Sequence, residues 1–279
     1  MTEPTRGAYV VTGGSSGIGL QVATRLQESG HDIYSLDRVE GVVGAHVPVD
    51  LQDPSSILDA VTCLPDRIMG IAHVAGVPGS AAPHTILDVN FLAIRRLTAE
   101  LLPRLLPGAA VVTVASIAAV RSSLRRDEAL PLTQLGDREL HDWLDESGLD
   151  GPATYDTAKH LLVSWTAALA GHLLQQEVRA VSVSPGPVET PILVDFRSTM
   201  GTAVGDAEQA LGRNATPDDV AEVICFALSS QARWCNGIDI RVDGGLVALA
   251  ATAATPNLLS ASGSTTQSQD QSHAEGDPS

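Results

Sequence analysis

Three side chains spread along the chain have the chemistry to move a proton to or from an alcohol oxygen: the phenol of Tyr155, the ammonium of Lys159 and the hydroxyl of Ser116. Tyr155 and Lys159 stand four apart in Tyr155-Asp156-Thr157-Ala158-Lys159, so on a helix they share one face, about one turn apart. A free phenol titrates near pH 10 (roughly) and is a poor base at neutrality. An ammonium fixed beside it favours the phenolate and is expected to lower that value. The pair then takes a proton from an alcohol or gives one to a ketone oxygen. By itself Tyr-x-x-x-Lys also describes an exposed helical pair. The elements around it decide between the two.

The first of those elements lies at the N-terminus. Ala8-Tyr9-Val10-Val11-Thr12 is an apolar run of strand length, and Gly13-Gly14-Ser15-Ser16-Gly17-Ile18-Gly19 follows at once. Leu20, Val22, Ala23 and Leu26 then recur at roughly helical spacing until Gly30. Strand, glycine turn and helix are the context of a dinucleotide fingerprint. Glycine permits the tight turn and close backbone approach, and the helix N-terminus offers free N–H groups to a pyrophosphate. The spacing here is Thr-Gly-x-x-x-Gly-x-Gly rather than Gly-x-Gly-x-x-Gly.

The next strand, Asp32 to Leu36, ends at Asp37. An acid about 20 residues past the glycines accepts hydrogen bonds from the adenosine ribose hydroxyls. It also repels a 2′-phosphate. Arg38 beside it is the residue that would tolerate one, but the glycine loop carries no Lys or Arg, so the reading is NAD over NADP. Strands are further predicted at Ala45–Val49, before Asp50-Leu51, at Ile68–Val74, before Ala75-Gly76, and at Ala109–Ala115, before Ser116. In open parallel sheets ligands sit at the carboxyl ends of strands, and Gly13, Asp37, Asp50, Gly76 and Ser116 all fall there. Two more strands follow, at 178–183 and 237–242. The alternation predicts an α/β, doubly wound Rossmann fold with a seven-stranded parallel sheet and helices on both faces.

A helix is expected to begin near Pro54, a long one to run from about Ile86 to Leu106 with Asn90 early in it, another to carry Tyr155 and Lys159 on to Leu173, and another to span Pro217 to Leu228. Residues 121–154 interrupt this rhythm. They open with Arg121, Arg125, Arg126, Asp127 and Glu128, then read as an amphipathic helix from Leu135 to Leu144. The stretch is either a lid or assembly arm beside the active site or a passive surface insertion. Ser184 to Pro191 reads as a rigid, proline-set loop and about 191–216 as a mobile substrate flap. One domain is expected over residues 1–250, and 251–279, rich in Ser, Thr and Gln, reads as a disordered tail.

Bulk properties bound the function. The 279 residues are 44% hydrophobic and carry a net charge of −16, which argues against nucleic acid or an anionic membrane as partner. The three cysteines form no Cys-x-x-Cys and the eight histidines no His-x-x-x-His, so no metal site is expected, and the cysteines suit a reducing cytoplasm. The polar start leads directly into a strand, and no apolar run reaches transmembrane length.

Taken in order, Thr12-Gly13-x-x-x-Gly17-x-Gly19, Asp50-Leu51, Ala75-Gly76, Asn90, Ser116, Tyr155-x-x-x-Lys159, Pro185-Gly186-Pro187-Val188-x-Thr190-Pro191 and Val242-Asp243-Gly244-Gly245 resemble the short-chain dehydrogenase/reductase family. The match covers about residues 8–248. Loop patterns such as Ala75 to Gly79 and Arg233-Trp234-x-Asn236-Gly237 look most like the bacterial coniferyl-alcohol dehydrogenase branch, and the long insertion before Tyr155 is also found in bacterial 3α-hydroxysteroid dehydrogenase/carbonyl reductases. The resemblance implies Tyr155 as acid/base, Lys159 as its modulator and a ribose ligand, Ser116 as a donor to the substrate oxygen, and Asn90 as anchor of a water that relays protons to Lys159. It implies cofactor contacts from Gly13, Ser15, Ser16, Gly17, Ile18, Gly19, Asp37, Arg38, Asp50, Leu51, Ala75, Gly76, Tyr155, Lys159, Pro185, Gly186, Val188 and Thr190, with Asp50 near adenine and Val188 and Thr190 at the carboxamide. The implied partner is a small-molecule alcohol or ketone, with a bulky, aromatic substrate preferred, a steroid or alicyclic alcohol as alternative, and a non-catalytic dinucleotide sensor as a third reading. It also implies a homodimer or homotetramer, paired through the helices at about 86–106 and 153–175. The family's Asn-Asn-Ala-Gly reads His73-Val74-Ala75-Gly76 here, and His73 is expected as a core residue.

Overall fold

Seven parallel strands form one sheet in the order β3-β2-β1-β4-β5-β6-β7, with β1 at Ala8–Thr12, β2 at Ile33–Asp37, β3 at Ala45–Pro48, β4 at Ile68–His73, β5 at Leu105–Val114, β6 at Arg179–Pro185 and β7 at Asp239–Val242. The computed structural model describes residues 7–191, 193 and 203–252. The expected tail beyond residue 252, and residues 192 and 194–202 of the expected flap, lie outside the described residues. The chain builds outward from β1 to β3 in one direction and from β4 to β7 in the other. Connections therefore diverge between β1 and β4, which opens a crevice at their carboxyl ends. The doubly wound Rossmann architecture expected from the strand and helix alternation is present. One compact unit ends at Leu246.

Both faces of the sheet are covered at its centre, and the pleat explains why β1, β4 and β6 are buried along almost their whole length. Val10 and Val11 are both fully buried yet belong to different cores. Val11 joins Val22, Ala23 and Leu26 of α1 (Gly17–Glu28) and Ile224 of a helix at Pro217–Leu228. Val10 joins Ile57, Ala60 and Val61 of α2 (Pro54–Thr62) on the other face. Helix starts follow their capping residues. Asp53 accepts from Ser55 N–H at 2.8 Å to open α2, and Thr216 and Asp219 bond reciprocally to open the helix at Pro217.

The expected long helix from Ile86 to Leu106 is broken into pieces. It comprises α3 (Pro83–Leu87), a π-helical turn (Asp88–Leu92), α4 (Ala93–Leu101) and a 3₁₀ turn (Leu102–Arg104). Pro103 lacks the N–H that would continue α4 and clashes with the preceding turn, so the helix stops there rather than at Pro107-Gly108. β5 consequently starts at Leu105, although its regular register with β4 begins only at Ala110.

The interruption at 121–154 is folded. It contains α5 (Arg126–Leu132), which the sequence pattern does not announce, and α6 (Asp137–Ser147), shifted two or three residues from the expected span. Leu140 and Leu144 of α6 and Ala129 of α5 bury against Leu87, Phe91, Leu92 and Ile94 and against Leu161 and Leu162 of α7 (Gly151–His172). Each leucine contributes about 1.5–3 kcal/mol on burial. Arg95 of α4 donates to the carbonyls of Thr133 and Leu135 at 3.0 and 2.6 Å and pairs with Asp137, as does Arg96. The stacked rings of His84 and His141 pair with Asp145 and Asp88, each at 2.7 Å. The insertion thus covers one face of α4 and α7 within the same chain. Two further helices are α8 (Ala203–Leu211), inside the expected flap, and α9, the helix at Pro217–Leu228.

Candidate active site

The turn between β1 and α1 sets the first half of the site. A side chain on Gly19 would stand 2.2 Å from the Gly13 carbonyl, and Gly13 itself lies at φ +72° with the Ala75 backbone 3.0 Å from where its Cβ would be. Only glycine permits this closeness of turn, helix and β4. Ser16 caps α1 without using its side chain, and no acid occupies the first helical turn. The N–H groups of that turn therefore remain oriented toward a cleft of about 270 Å³, lined by Gly13, Ser16 to Gly19, Leu36 to Arg38, Val49 to Gln52, Val74 to Val77, Val89, Thr190 and Pro191. Dipole, donors and absent Cβ atoms together fit a pyrophosphate.

Asp37 stands at the end of β2 with its carboxylate fixed. It accepts from both the N–H and the hydroxyl of Ser15, and from Val39 N–H at 3.3 Å. Ser15 therefore positions Asp37 rather than lining the cleft. Asp50 and Leu51 face the same cleft, with Asp50 N–H donating to Ser56 Oγ. Thr12 Oγ1 accepts from both Val74 and Ala75 N–H, at 3.0 and 3.1 Å, and so joins the ends of β1 and β4 beneath it.

A second cavity of about 230 Å³ adjoins the first and shares Ile18, Val74, Gly76, Val77 and Thr190 with it. Ser116, Tyr155 and Lys159 line it, as do Pro185, Gly186 and Val188. Ser116 leaves β5 in extended conformation and caps a 3₁₀ turn (Ile117–Arg121), its Oγ accepting from Ala118 N–H at 3.1 Å. That bond occupies a lone pair and leaves the Ser116 proton to donate. Tyr155 is hydrogen-bonded to Ser116 through its hydroxyl. Lys159, one turn on, donates from Nζ to the Val114 carbonyl at 2.8 Å and lies 5.7 Å from the centre of the Tyr155 ring. Sheet end and helix thus bring together three groups that lie 39 and 4 positions apart in the sequence, as their numbers show.

Burial governs the acid–base state of the pair. It pushes the Tyr155 phenol up to about 12, with the Ser116 bond and the Arg121 charge pulling down and Asp156 pushing up. Burial also brings the Lys159 ammonium down to about 8. Desolvation is the largest influence on the phenol, ahead of every neighbouring charge. Tyr155 is held protonated, the form that gives a proton to a carbonyl oxygen.

Asn90 lines neither cavity. It is fully buried in the π turn, where its side chain bonds Val77 and flanks Gly76: a Cβ on Gly76 would lie 3.0 Å from Asn90 Oδ1 and 3.7 Å from Lys159 Nζ. His73 is likewise a core residue, bonded through Nε2 to Thr98 at 2.8 Å, and burial pulls its imidazole down to about 3. Val74 and Val77, quoted in the sequence only as part of the motifs around Ala75-Gly76 and not as contacts, wall both cavities. Arg121, counted there only as a charged opening of the insertion, also faces the second cavity. Among the described residues no group of His, Cys, Asp and Glu is arranged to hold a metal, and no helix is long and apolar enough to cross a membrane.

Known proteins share this architecture. Residues 8–126 match the family model described as short chain dehydrogenase, and residues 144–247 match that described as enoyl-(acyl carrier protein) reductase. The chain is 36% identical over 247 residues to the coniferyl-alcohol dehydrogenase of Pseudomonas sp. (strain HR199 / DSM 7063), covering 87% of this chain and 97% of that one. It is 26% identical over 251 residues to the 3-alpha-hydroxysteroid dehydrogenase/carbonyl reductase of Comamonas testosteroni, covering 86% and 96%. The crystal structure of the 3-alpha-hydroxysteroid dehydrogenase from Pseudomonas sp. B-0831 complexed with NADH superposes with a TM-score of 0.75 at 27% identity, covering 87% of this chain and 98% of that chain. With one relative above a third identical along nearly its whole length, and with the glycine turn and the Ser116, Tyr155 and Lys159 cluster in one crevice, the chain belongs to the short-chain dehydrogenase/reductase family of oxidoreductases.

Proposed function

We propose that this oxidoreductase is an NAD(H)-dependent alcohol dehydrogenase and carbonyl reductase for a bulky hydrophobic, aryl or allylic, substrate. The observation that carries the reading is the hydrogen-bonded Tyr155 and Ser116 pair on the wall of an apolar cavity that opens into the dinucleotide cleft. Val77, Ile117, Ala118, Val188 and Leu193 give that cavity walls that suit an apolar ring. The bound nicotinamide would supply or accept the hydride. In reduction, Tyr155 passes its hydroxyl proton to the carbonyl oxygen while Ser116 donates a hydrogen bond to the same oxygen as charge gathers there. In oxidation the phenol first releases its own proton to solvent, and the resulting Tyr155 phenolate then takes the alcohol proton. The Lys159 ammonium, mostly charged at neutral pH, steadies the phenolate and would hold the nicotinamide ribose. Asn90, beside Gly76 and Lys159, has an N–H left over for the proposed relay water.

NAD is proposed over NADP because the Asp37 carboxylate is fixed in the cleft by Ser15 and Val39 and would face a 2′-phosphate. A second reading, a steroid or alicyclic alcohol, is favoured by the likeness to the NADH-bound 3-alpha-hydroxysteroid dehydrogenase. A non-catalytic dinucleotide sensor has no use for a cluster of Ser116 with the buried Tyr155 and Lys159. We read the enzyme as cytoplasmic, with its cysteines free, and as a homodimer or homotetramer; pairing through α4 and α7 would have to run over the insertion that covers them. Steady-state assays with NAD and NADP against benzylic, cinnamyl and steroid alcohols test the reading. Cinnamyl or benzylic turnover with NAD supports it, steroid turnover alone moves it to the second reading, and dinucleotide binding without turnover of any alcohol overturns both.

A further inference from the structure

One charged side chain in the second cavity has no part in the reaction described above. Arg121 ends the 3₁₀ turn that starts at Ser116, and it reaches Asp156, the neighbour of Tyr155, through Nε at 2.9 Å and Nη2 at 2.6 Å. This is a side-on fork, so one edge of the guanidinium is occupied and the Nη1/Nη2 edge is left. Among the described residues Asp156 is the group that bonds it. Asp156 is largely buried at 14% side-chain exposure, while Arg121 is 43% exposed and lines the cavity. The carboxylate therefore works as a backstop that aims the guanidinium and keeps it from swinging away. Among the described residues lining this cavity, Arg121 and Lys159 are the charged ones and no carboxylate is present, in a chain with 33 Asp and Glu against 17 Lys and Arg. Lys159 is committed to Val114 and to the reaction end of the site.

We propose that Arg121 determines specificity by binding an anionic oxygen, a carboxylate or a phenolate, at the end of the substrate remote from the reacting carbon. The inference rests on the aryl-alcohol reading above and narrows it: the substrate is an amphiphilic alcohol with an acidic tail, not a plain hydrocarbon alcohol. The free edge of an arginine matches a planar oxyanion in two parallel hydrogen bonds, which an ammonium does not reproduce.

The test compares 4-carboxybenzyl alcohol, 4-hydroxybenzyl alcohol and 4-methylbenzyl alcohol in the wild type, Arg121→Gln and Arg121→Lys. The wild type is expected to favour the carboxylate or phenol over the methyl compound in kcat/KM. Arg121→Gln is expected to lower that ratio about 10- to 100-fold, the worth of a hydrogen bond to a charged group, and Arg121→Lys to restore part of it. The two acidic compounds separate the sources: a preference for the carboxylate at neutral pH, or a preference for the phenol that rises with its ionisation. If Arg121 only clasps the turn to α7, all three alcohols lose rate together and the ratio is unchanged, which overturns the proposal. Calorimetry of benzoate with the NAD-loaded protein keeps the test independent of turnover. Should the wild type oxidise none of the alcohols, the aryl-alcohol reading fails, and benzoate binding then decides alone: binding weakened in Arg121→Gln supports the oxyanion site, and equal or absent binding in the wild type overturns it.

Discussion

The side chain of Asn90 closes on both backbone groups of Val77: Oδ1 accepts from the Val77 N–H at 2.9 Å, and Nδ2 donates to the Val77 carbonyl at 3.0 Å. The amide thus stands in for a strand partner and holds the segment that walls both cavities. Asn90→Ala removes both bonds and leaves the Val77 groups short of partners, a loss of about 2–4 kcal/mol of stability. Urea unfolding should show it, and kcat/KM should fall with it because Val77 shifts. Asn90→Asp, which keeps the acceptor but sets a buried carboxylate oxygen against the Val77 carbonyl, should lose at least as much as Asn90→Ala. A variant as stable as the wild type would mean that Val77 finds water instead.

Tyr155→Phe removes the proton that the carbonyl oxygen needs and leaves the ring that packs beside Lys159. Turnover should drop by at least about 10²-fold, the ordinary worth of a positioned acid. Dinucleotide binding, followed by tryptophan fluorescence, should persist. Ser116→Ala should slow turnover too and also loosen the 3₁₀ turn it caps. Undiminished turnover in Tyr155→Phe would remove the phenol from the mechanism.

Asp37 is locked by Ser15, so its charge cannot turn away from a 2′-phosphate. Asp37→Ala should shift the ratio of kcat/KM for NADP over NAD upward by about 10- to 100-fold, as a repulsion is lost along with charged hydrogen bonds to the ribose. Ser15→Ala should shift it in the same direction by less. A wild type that already prefers NADP would assign the dominant contact to Arg38.

His73 gives a pH test of stability that activity does not enter. Its imidazole titrates near 6.5 when free and only at about 3 in the folded chain, because burial penalises the cation. Between those values the unfolded chain binds the extra proton, so stability falls as the pH falls, by about 1.4 kcal/mol per pH unit from this group. Unfolding free energies at pH 7 and pH 5 should therefore drop by about 2 kcal/mol more in the wild type than in His73→Asn. Equal slopes in the two proteins would show that His73 charges without leaving its site.

Much of this site was legible in the sequence because the information is local. Glycines at 13, 17 and 19 after an apolar run announce their turn, and Asp37, Asp50, Gly76 and Ser116 are placed by strand ends alone. The helix over 217–228 is announced by its own cap. The rest depends on contacts between distant segments. Nothing near Asn90 signals a π turn, because the extra residue is held by Val77 and by packing against the insertion. Arg121 looks like surface charge until Asp156 aims it. The state of Tyr155 depends on tertiary structure in the same way: spacing reveals the Lys159 neighbour, while the depth of burial, the largest influence on the phenol, belongs to the fold.

The π turn at Asp88–Leu92 also has a consequence for chain length. A turn with i→i+5 bonding holds one more residue than the α-helix on either side needs. Deleting one residue would let the helix close into regular α form, rotate everything before it by about 100° relative to α4, and carry Asn90 away from Val77. Chains that differ here by one residue in length therefore differ in kind, and an alignment that slides its gap past position 90 would pair residues that never occupy the same place.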